Sequence, residues 1–311
     1  MLQIILNILI LGVSIFALIA GSNIFVKQSS AIARKYHIPE FLIGITIVAM
    51  GTSLPEFIIS IVAAVEGNAT IATSNVLGSS IANIGFILAI TAIFGAIKIN
   101  KANLKFDIPI SVVSVLIFLG ILYFSDGWVK WSQGILLIII FIGYFVLQYI
   151  KGKKENVFEG TPNHTKISLP LLLFGIIFLA AGGKYSVDSA VEISKLLNIS
   201  EGFVGFTVLS VGSSLPELIV SIIALRKKHY GLSLGNIVGS NFFNLFLVIG
   251  VSALILNLPF HNYIRELIVL IAYNLALIVA SFIGKKYYIS RREGVFLLLS
   301  YLLLVLYLFY K

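Results

Sequence analysis

The segment GTSLPEFIIS, residues 51–60, returns 161 residues later as GSSLPELIVS, residues 212–221. Each copy sets one carboxylate, Glu56 or Glu217, inside a long apolar run. The match extends on both sides without a gap. GITIVAMGTSLPE from Gly44 lies over GFTVLSVGSSLPE from Gly205, and SNVLGSSIANIGFIL from Ser74 lies over GNIVGSNFFNLFLVI from Gly235. A match with this spacing marks a duplicated structural unit, which sets the architecture before any single residue is weighed.

The composition says where the unit resides. Of 311 residues 59% are hydrophobic and 11% charged, with a mean hydropathy of +1.05, far too little charge to cover a soluble fold of this size. Apolar runs long enough to span a bilayer recur along the chain. Breaking it at charges and turn residues predicts ten helices, at 2–26, 39–65, 71–97, 107–124, 131–150, 167–187, 200–225, 231–257, 264–284 and 293–310. The first run, which lacks a basic leader and is too long for a signal-peptide core, reads as the first span. With no cysteine there is no basis for a disulfide framework, a thiolate metal site or a cysteine nucleophile.

The net charge of +9 is topological. One side of the predicted spans receives Lys27, Arg34, Lys35, Lys98, Lys101, Lys105, Lys151, Lys153, Lys154, Lys166, Arg226, Lys227, Lys228, Lys285, Lys286, Arg291 and Arg292. The other receives Lys130, Lys184, Lys195, Arg265 and Lys311. Seventeen against five makes the first side cytoplasmic and puts both termini outside. Nucleic acid is therefore not an expected partner; membrane lipid is. The polar stretch 151–166 reads as a cytoplasmic linker between a first five-helix repeat, 1–150, and a second, 167–311. Five spans per half is an odd number, so the halves enter the membrane in opposite senses. The loops agree: EGN at 66–68 carries no basic residue, whereas its counterpart opens with RKK at 226–228. The expected fold is an all-α polytopic membrane protein of ten transmembrane helices in two inverted-topology five-helix repeats, an architecture that puts ion sites at the repeat interface near the midplane.

Of thirteen acidic residues, only Glu56 and Glu217 fall near the middle of a predicted span; the other eleven, Glu266 among them, sit in loops or near span ends and read as solvated. A mid-membrane carboxylate costs about 2.5–3.5 kcal/mol even on the lenient insertion scale, so it faces a partner or a cavity. No Lys, Arg or His lies mid-span. Two buried carboxylates without a protein cation invite one from solution. Oxygen donors crowd around them: Thr52 and Ser53 before Glu56, Ser213 and Ser214 before Glu217, and Ser79 with Asn83, then Ser240 with Asn244, four residues apart on the following helices. Pro55 and Pro216 have no N–H to give four residues back, which frees the carbonyls of Gly51 and Gly212 from the helix ladder. An all-oxygen donor set favours hard cations over zinc or copper. Calcium accepts six to eight oxygens, and the same atoms could instead hold sodium ions, which is the physical basis of antiport.

Both repeats resemble the alpha-repeats of the cation/calcium exchanger superfamily, most closely its sodium/calcium exchanger branch, over nearly the whole chain. The resemblance implies exchange of about three sodium ions for one calcium by alternating access, with the first and sixth helices sliding over a core that holds the ions. It implies that Glu56 and Glu217 bind calcium with the carbonyls of Thr52 and Ser213. Sodium would compete through Ser53, Ser79 and the Ala49 carbonyl on one side, and through Ser214, Ser240 and the Ser210 carbonyl on the other. Asn83 and Asn244 would line the middle. Potassium-dependent relatives carry Asp where this chain has Asn244, so the amide argues against potassium dependence. Ca2+ and Na+ are then transported substrates, and no cofactor is expected. Short loops and no regulatory insertion resemble prokaryotic members, which implies a multi-pass protein of a prokaryotic cell membrane.

Three other readings compete. A proton/calcium antiporter could use the same glutamates as proton carriers. An intramembrane hydrolase could use them as acid and base, but their near-identical surroundings give no reason for one to be acid and the other base. A structural membrane protein or passive channel is a third. The expectation is a transporter, not an enzyme.

Overall fold

The computed structural model describes residues 2–35, 49–99, 108–155, 167–226, 228, 230–282 and 287–310. The predicted boundary of the second span and the 156–166 part of the linker fall outside the described residues. The helices are α1 (Leu2–Lys35), α2 (Ala49–Thr52), α3 (Leu54–Val65), α4 (Ala69–Phe94), α5 (Ile108–Tyr123) and α6 (Trp131–Glu155). The second half holds α7 (Leu169–Leu197), α8 (Glu201–Ser213), α9 (Leu215–Arg226), α10 (Tyr230–Phe243, continued to Ile255), α11 (Ile264–Phe282) and α12 (Arg291–Phe309). Among the described residues four two-residue strands sit between them: β1 (Ile97–Lys98), β2 (Trp128–Val129), β3 (Leu258–Pro259) and β4 (Tyr288–Ile289).

The duplication is visible in the boundaries. Shifted by 161, α3 falls on Leu215–Arg226, Ala69–Ala82 falls on Tyr230–Phe243, and β1 falls on β3. Both halves break the chain at a serine just before Pro. Ser53 has φ −92°, ψ 9°, and Ser214 has φ −86°, ψ 9°. The bridge-region backbone there separates a short helix from the next, which starts with Leu-Pro-Glu, because the proline can neither donate to nor pack under the preceding turn. The bend between α8 and α9 is 41°.

Among the described residues, six helices are long and apolar enough to cross a membrane, and the bent α8–α9 pair makes a seventh. Three shorter apolar helices, Leu54–Val65, Ile108–Tyr123 and Trp131–Leu147, occupy the other positions where spans were expected. Burial sorts these helices into layers. The apolar windows of α4 and α10 are 83% and 78% buried, against 22% for α1 and 17% for α12, so α4 and α10 form the core and the latter two lie at its outside. α3 packs on α4 and α9 on α10; α12 lies along the C-terminal part of α4 and α6 along that of α10. α1 lies along α7, the most extensive helix pair, brought close where Gly182 leaves room for the Ser14 carbonyl.

Two expectations need correction. α1 and α7 are 34 and 29 residues long, well past the predicted 2–26 and 167–187. At 1.5 Å per residue α1 measures about 50 Å, more than the hydrocarbon thickness. The charges along α7 are paired within the helix and with Glu66 at the end of α3. Lys184 pairs with Glu66 at 3.1 Å and Asp188 at 3.4 Å, and Lys195 with Glu192 at 3.1 Å. The helix stops only at Asn198, whose left-handed φ of 54° closes it. The second correction is Glu266, which is 4% exposed in the first turn of α11 and not solvated.

Candidate cation site

The helix breaks bring the two acids into one buried cluster. Ser214 Oγ, from the second half, donates to Glu56 Oε1 at 2.6 Å. Ser53 Oγ, from the first half, donates to Glu217 Oε1 at 2.7 Å. Each glutamate is thus gripped by the break serine of the opposite half. Ser240 adds a 3.2 Å donation to Glu217 Oε1, whereas the hydroxyl of its counterpart Ser79 has no partner among the described residues. Both carboxylates are 1% exposed, and the second oxygen of each, Oε2, has no hydrogen-bond partner among the described residues.

The remaining expected residues surround this pair. Thr52, Ser213, Ser210, Asn83 and Asn244 are all buried. Thr52 Oγ1 donates to Asn236 Oδ1 at 3.3 Å, and Ser213 Oγ donates to the Ser210 carbonyl at 3.2 Å. Ala49 opens α2, one turn before the break. Asn83 and Asn244 each begin a π-helical turn, Asn83–Leu88 and Asn244–Val248, widened turns of the kind that recur at functional sites. The oxygens without a partner include Ser79 Oγ, Asn83 Oδ1 and Asn244 Oδ1.

The charge is not compensated by the protein. Among the described residues no Lys, Arg or His is buried. None of the described His, Cys, Asp or Glu side chains gather in threes, so the two glutamates supply the formal charge. A buried carboxylate left unpaired is disfavoured by several kcal/mol, which a bound cation or proton relieves. Carboxylate, hydroxyl and amide oxygens together suit a hard cation.

Two features escaped the reading of the sequence. Asn75 Nδ2 donates to the Glu56 carbonyl at 3.3 Å and to Ser60 Oγ at 2.9 Å; Asn236 repeats this on the Glu217 carbonyl and Ser221 at 3.4 and 3.3 Å. They pin the turn that carries each acid, and their exact 161-residue spacing was a usable signal. The Gly51 carbonyl that Pro55 frees is taken up by the Ser22 hydroxyl of α1. The equivalent of Ser22 is Gly183, so no repeat pattern could find it. A cavity of about 540 Å³, lined by Thr70, Glu201, Tyr263 and Glu266 among others, includes none of the expected ion-site residues.

Known proteins resemble this chain over nearly its whole length. The family model described as sodium/calcium exchanger protein matches residues 6–150 and 167–310. An uncharacterised membrane protein of Methanocaldococcus jannaschii is 35% identical, over 96% of this chain and 98% of its own. The sodium/calcium exchanger MaX1 of Methanosarcina acetivorans is 30% identical, over 98% of this chain and 99% of its own. The solved structure of the sodium-calcium exchanger NCX_Mj, soaked with Na+ and Sr2+, superposes with a TM-score of 0.68 at 32% identity, covering 97% of this chain and 98% of the other. With the family model spanning both halves and relatives matching nearly end to end, this chain belongs to the sodium/calcium exchanger family.

Proposed function

We propose that the protein is a secondary active antiporter that exchanges about three sodium ions for one calcium ion by alternating access across a prokaryotic cell membrane. The observation that carries this reading is the reciprocal grip: two buried glutamates, each held through one oxygen by the other half's serine, each keeping a second oxygen for an ion. In this reading ten spans form two inverted repeats, 1–150 and 167–311, joined by a cytoplasmic 151–166 linker with both termini outside. Recurrence of helix boundaries, the crossed serine–glutamate bonds and the basic-residue bias all support it.

Calcium lies between Glu56 and Glu217 with the carbonyls of Thr52 and Ser213. Sodium ions take Ser53, Ser79 and the Ala49 carbonyl, or Ser214, Ser240 and the Ser210 carbonyl, with Asn83 and Asn244 between. For Ser210 to serve, one of the two donors on its carbonyl, the Ser214 N–H or the Ser213 hydroxyl, must give way. Exchange follows because one set of oxygens cannot hold both cargoes, so each ion's arrival displaces the other.

The test is calcium-45 uptake into proteoliposomes of the purified protein. An outward sodium gradient should drive uptake by wild type and not by Glu56→Gln or Glu217→Gln. Equal uptake driven by a pH gradient without sodium would replace this reading with a proton/calcium antiporter.

A further inference from the structure

The middle of the site is where the repeats stop matching. Asn83 and Asn244 are equivalent and identical, but three residues earlier the first half has Ser80 and the second has Asn241. Asn241 reaches from α10 to the π-helical turn of α4, where its Oδ1 accepts from Asn83 Nδ2 at 2.8 Å. Ser80 makes no equivalent bond, and neither amide atom of Asn244 has a partner among the described residues. Two amides of the same chemistry are therefore held differently.

An amide side chain is two-ended: its oxygen can ligate a cation, and its NH2 repels one. Asn83 spends its NH2 on Asn241, and its Oδ1 remains without a partner. Asn244 has no such tether and can present either end. Asn241 itself is 2% exposed with its own Nδ2 unpartnered. A buried donor left unsatisfied costs about 1–3 kcal/mol, which an apolar side chain of the same size would avoid. The amide at 241 thus has its use in what it does to Asn83.

We infer that Asn241 is a positioning residue that holds Asn83 with its oxygen toward the transported cation, giving the two halves of the site one fixed and one turning amide. The inference rests on the exchanger reading and adds what sets ligand orientation in the middle of the site.

The test is sodium-driven calcium-45 uptake, with KM and Vmax separated. Asn241→Ser, which installs the residue that the first half already holds at 80, should raise the KM for calcium about fivefold, the size of one hydrogen bond, with Vmax changed less. Asn241→Asp keeps an acceptor for the Asn83 NH2 and should bind calcium at least as well as wild type. Asn241→Ser added to Asn83→Ala should weaken binding no further, because the effect runs through Asn83. The inference is overturned by an unchanged KM in Asn241→Ser, by loss of affinity in Asn241→Asp, or by additive effects in the double variant. It also falls if Asn241→Ser lowers only Vmax, the sign of a packing role. Absence of sodium-driven uptake by wild type would instead overturn the exchanger reading on which it stands.

Discussion

Gly78 is the position at which a single methyl group should disturb the site most. It lies on α4 next to Ser79, where α8 crosses at Phe206, four residues before Ser210. A Cβ added there would sit 2.8 Å from both the carbonyl carbon and the Cα of Phe206, and nearer still to its carbonyl oxygen. These are backbone atoms, so no side chain can swing aside. Ordinary contact begins near 3.4 Å, so the two helices must part by about 0.6 Å to clear those two atoms and by more to clear the carbonyl oxygen. Calcium–oxygen distances occupy a window of about 0.3 Å, so a shift of that size would carry α8, with the Ser213 carbonyl proposed for calcium at its end, away from an ion held by Glu56 of the first half. Gly78→Ala should weaken calcium binding by about tenfold or more. Overpacking costs about 1–3 kcal/mol; the better helix propensity of Ala returns just under 1 kcal/mol. The melting temperature should therefore fall modestly while affinity falls sharply. Gly12→Ala is the control: that residue is exposed on α1 with no described atom within 4 Å, so transport should be unchanged. Calcium-45 uptake at varied calcium, with thermal melts of both variants, decides the matter. A Gly78→Ala protein with wild-type KM and melting temperature would refute the claim that this crossing sets the spacing of the ion ligands.

Two further outcomes follow from the hydrogen bonds. Ser53→Ala and Ser214→Ala each remove one donor to a carboxylate at nearly the same distance, 2.7 and 2.6 Å, so each should weaken calcium binding by about 1.5–3 kcal/mol, with Ser53→Ala toward the lower end because Ser240 still donates to Glu217 Oε1. A silent variant beside a crippled one, in equilibrium calcium-45 binding, would show the grip is not reciprocal. Asn75→Ala and Asn236→Ala should each lower stability by about 1–2 kcal/mol, through the glutamate carbonyl left behind, and a thermal melt in detergent reads this directly.

How much of this was legible from residues alone depended on contrast. Glu56 and Glu217 stand out because a carboxylate in an apolar run has few explanations, and duplication removed most of those left. The serines and Asn83 with Asn244 followed from their spacing around the acids. Asn75 and Asn236 lay inside the aligned segments but resembled ordinary helix-packing polar residues until their bonds to the glutamate carbonyls were seen. Ser22 and Asn241 were out of reach for a different reason: each breaks the repeat, against Gly183 and Ser80, so the signal that found the rest hid them. The ends of α1 and α7 ran past the predicted spans because a helix need not stop where its apolar run does: the apolar window of α1 ends at Phe25, and the helix goes on to Lys35. Glu266 was misjudged by position alone; being near the start of a helix did not keep it in water.

The four short strands carry a consequence out of proportion to their length. β1 pairs with β4, Ile97 opposite Ile289, and β2 pairs with β3, Trp128 opposite Pro259. The first seam stitches the exit of α4 to the entrance of α12, and the second stitches the exit of α10 to the entrance of α6. Swinging the halves apart like a clamshell would tear both seams. Among the described residues no strand fastens α1 or α7, which lie together outside the lacing. In the alternating access proposed above, a movement of α1 with α7 would leave both seams intact, at the cost of the Ser22 bond to the Gly51 carbonyl.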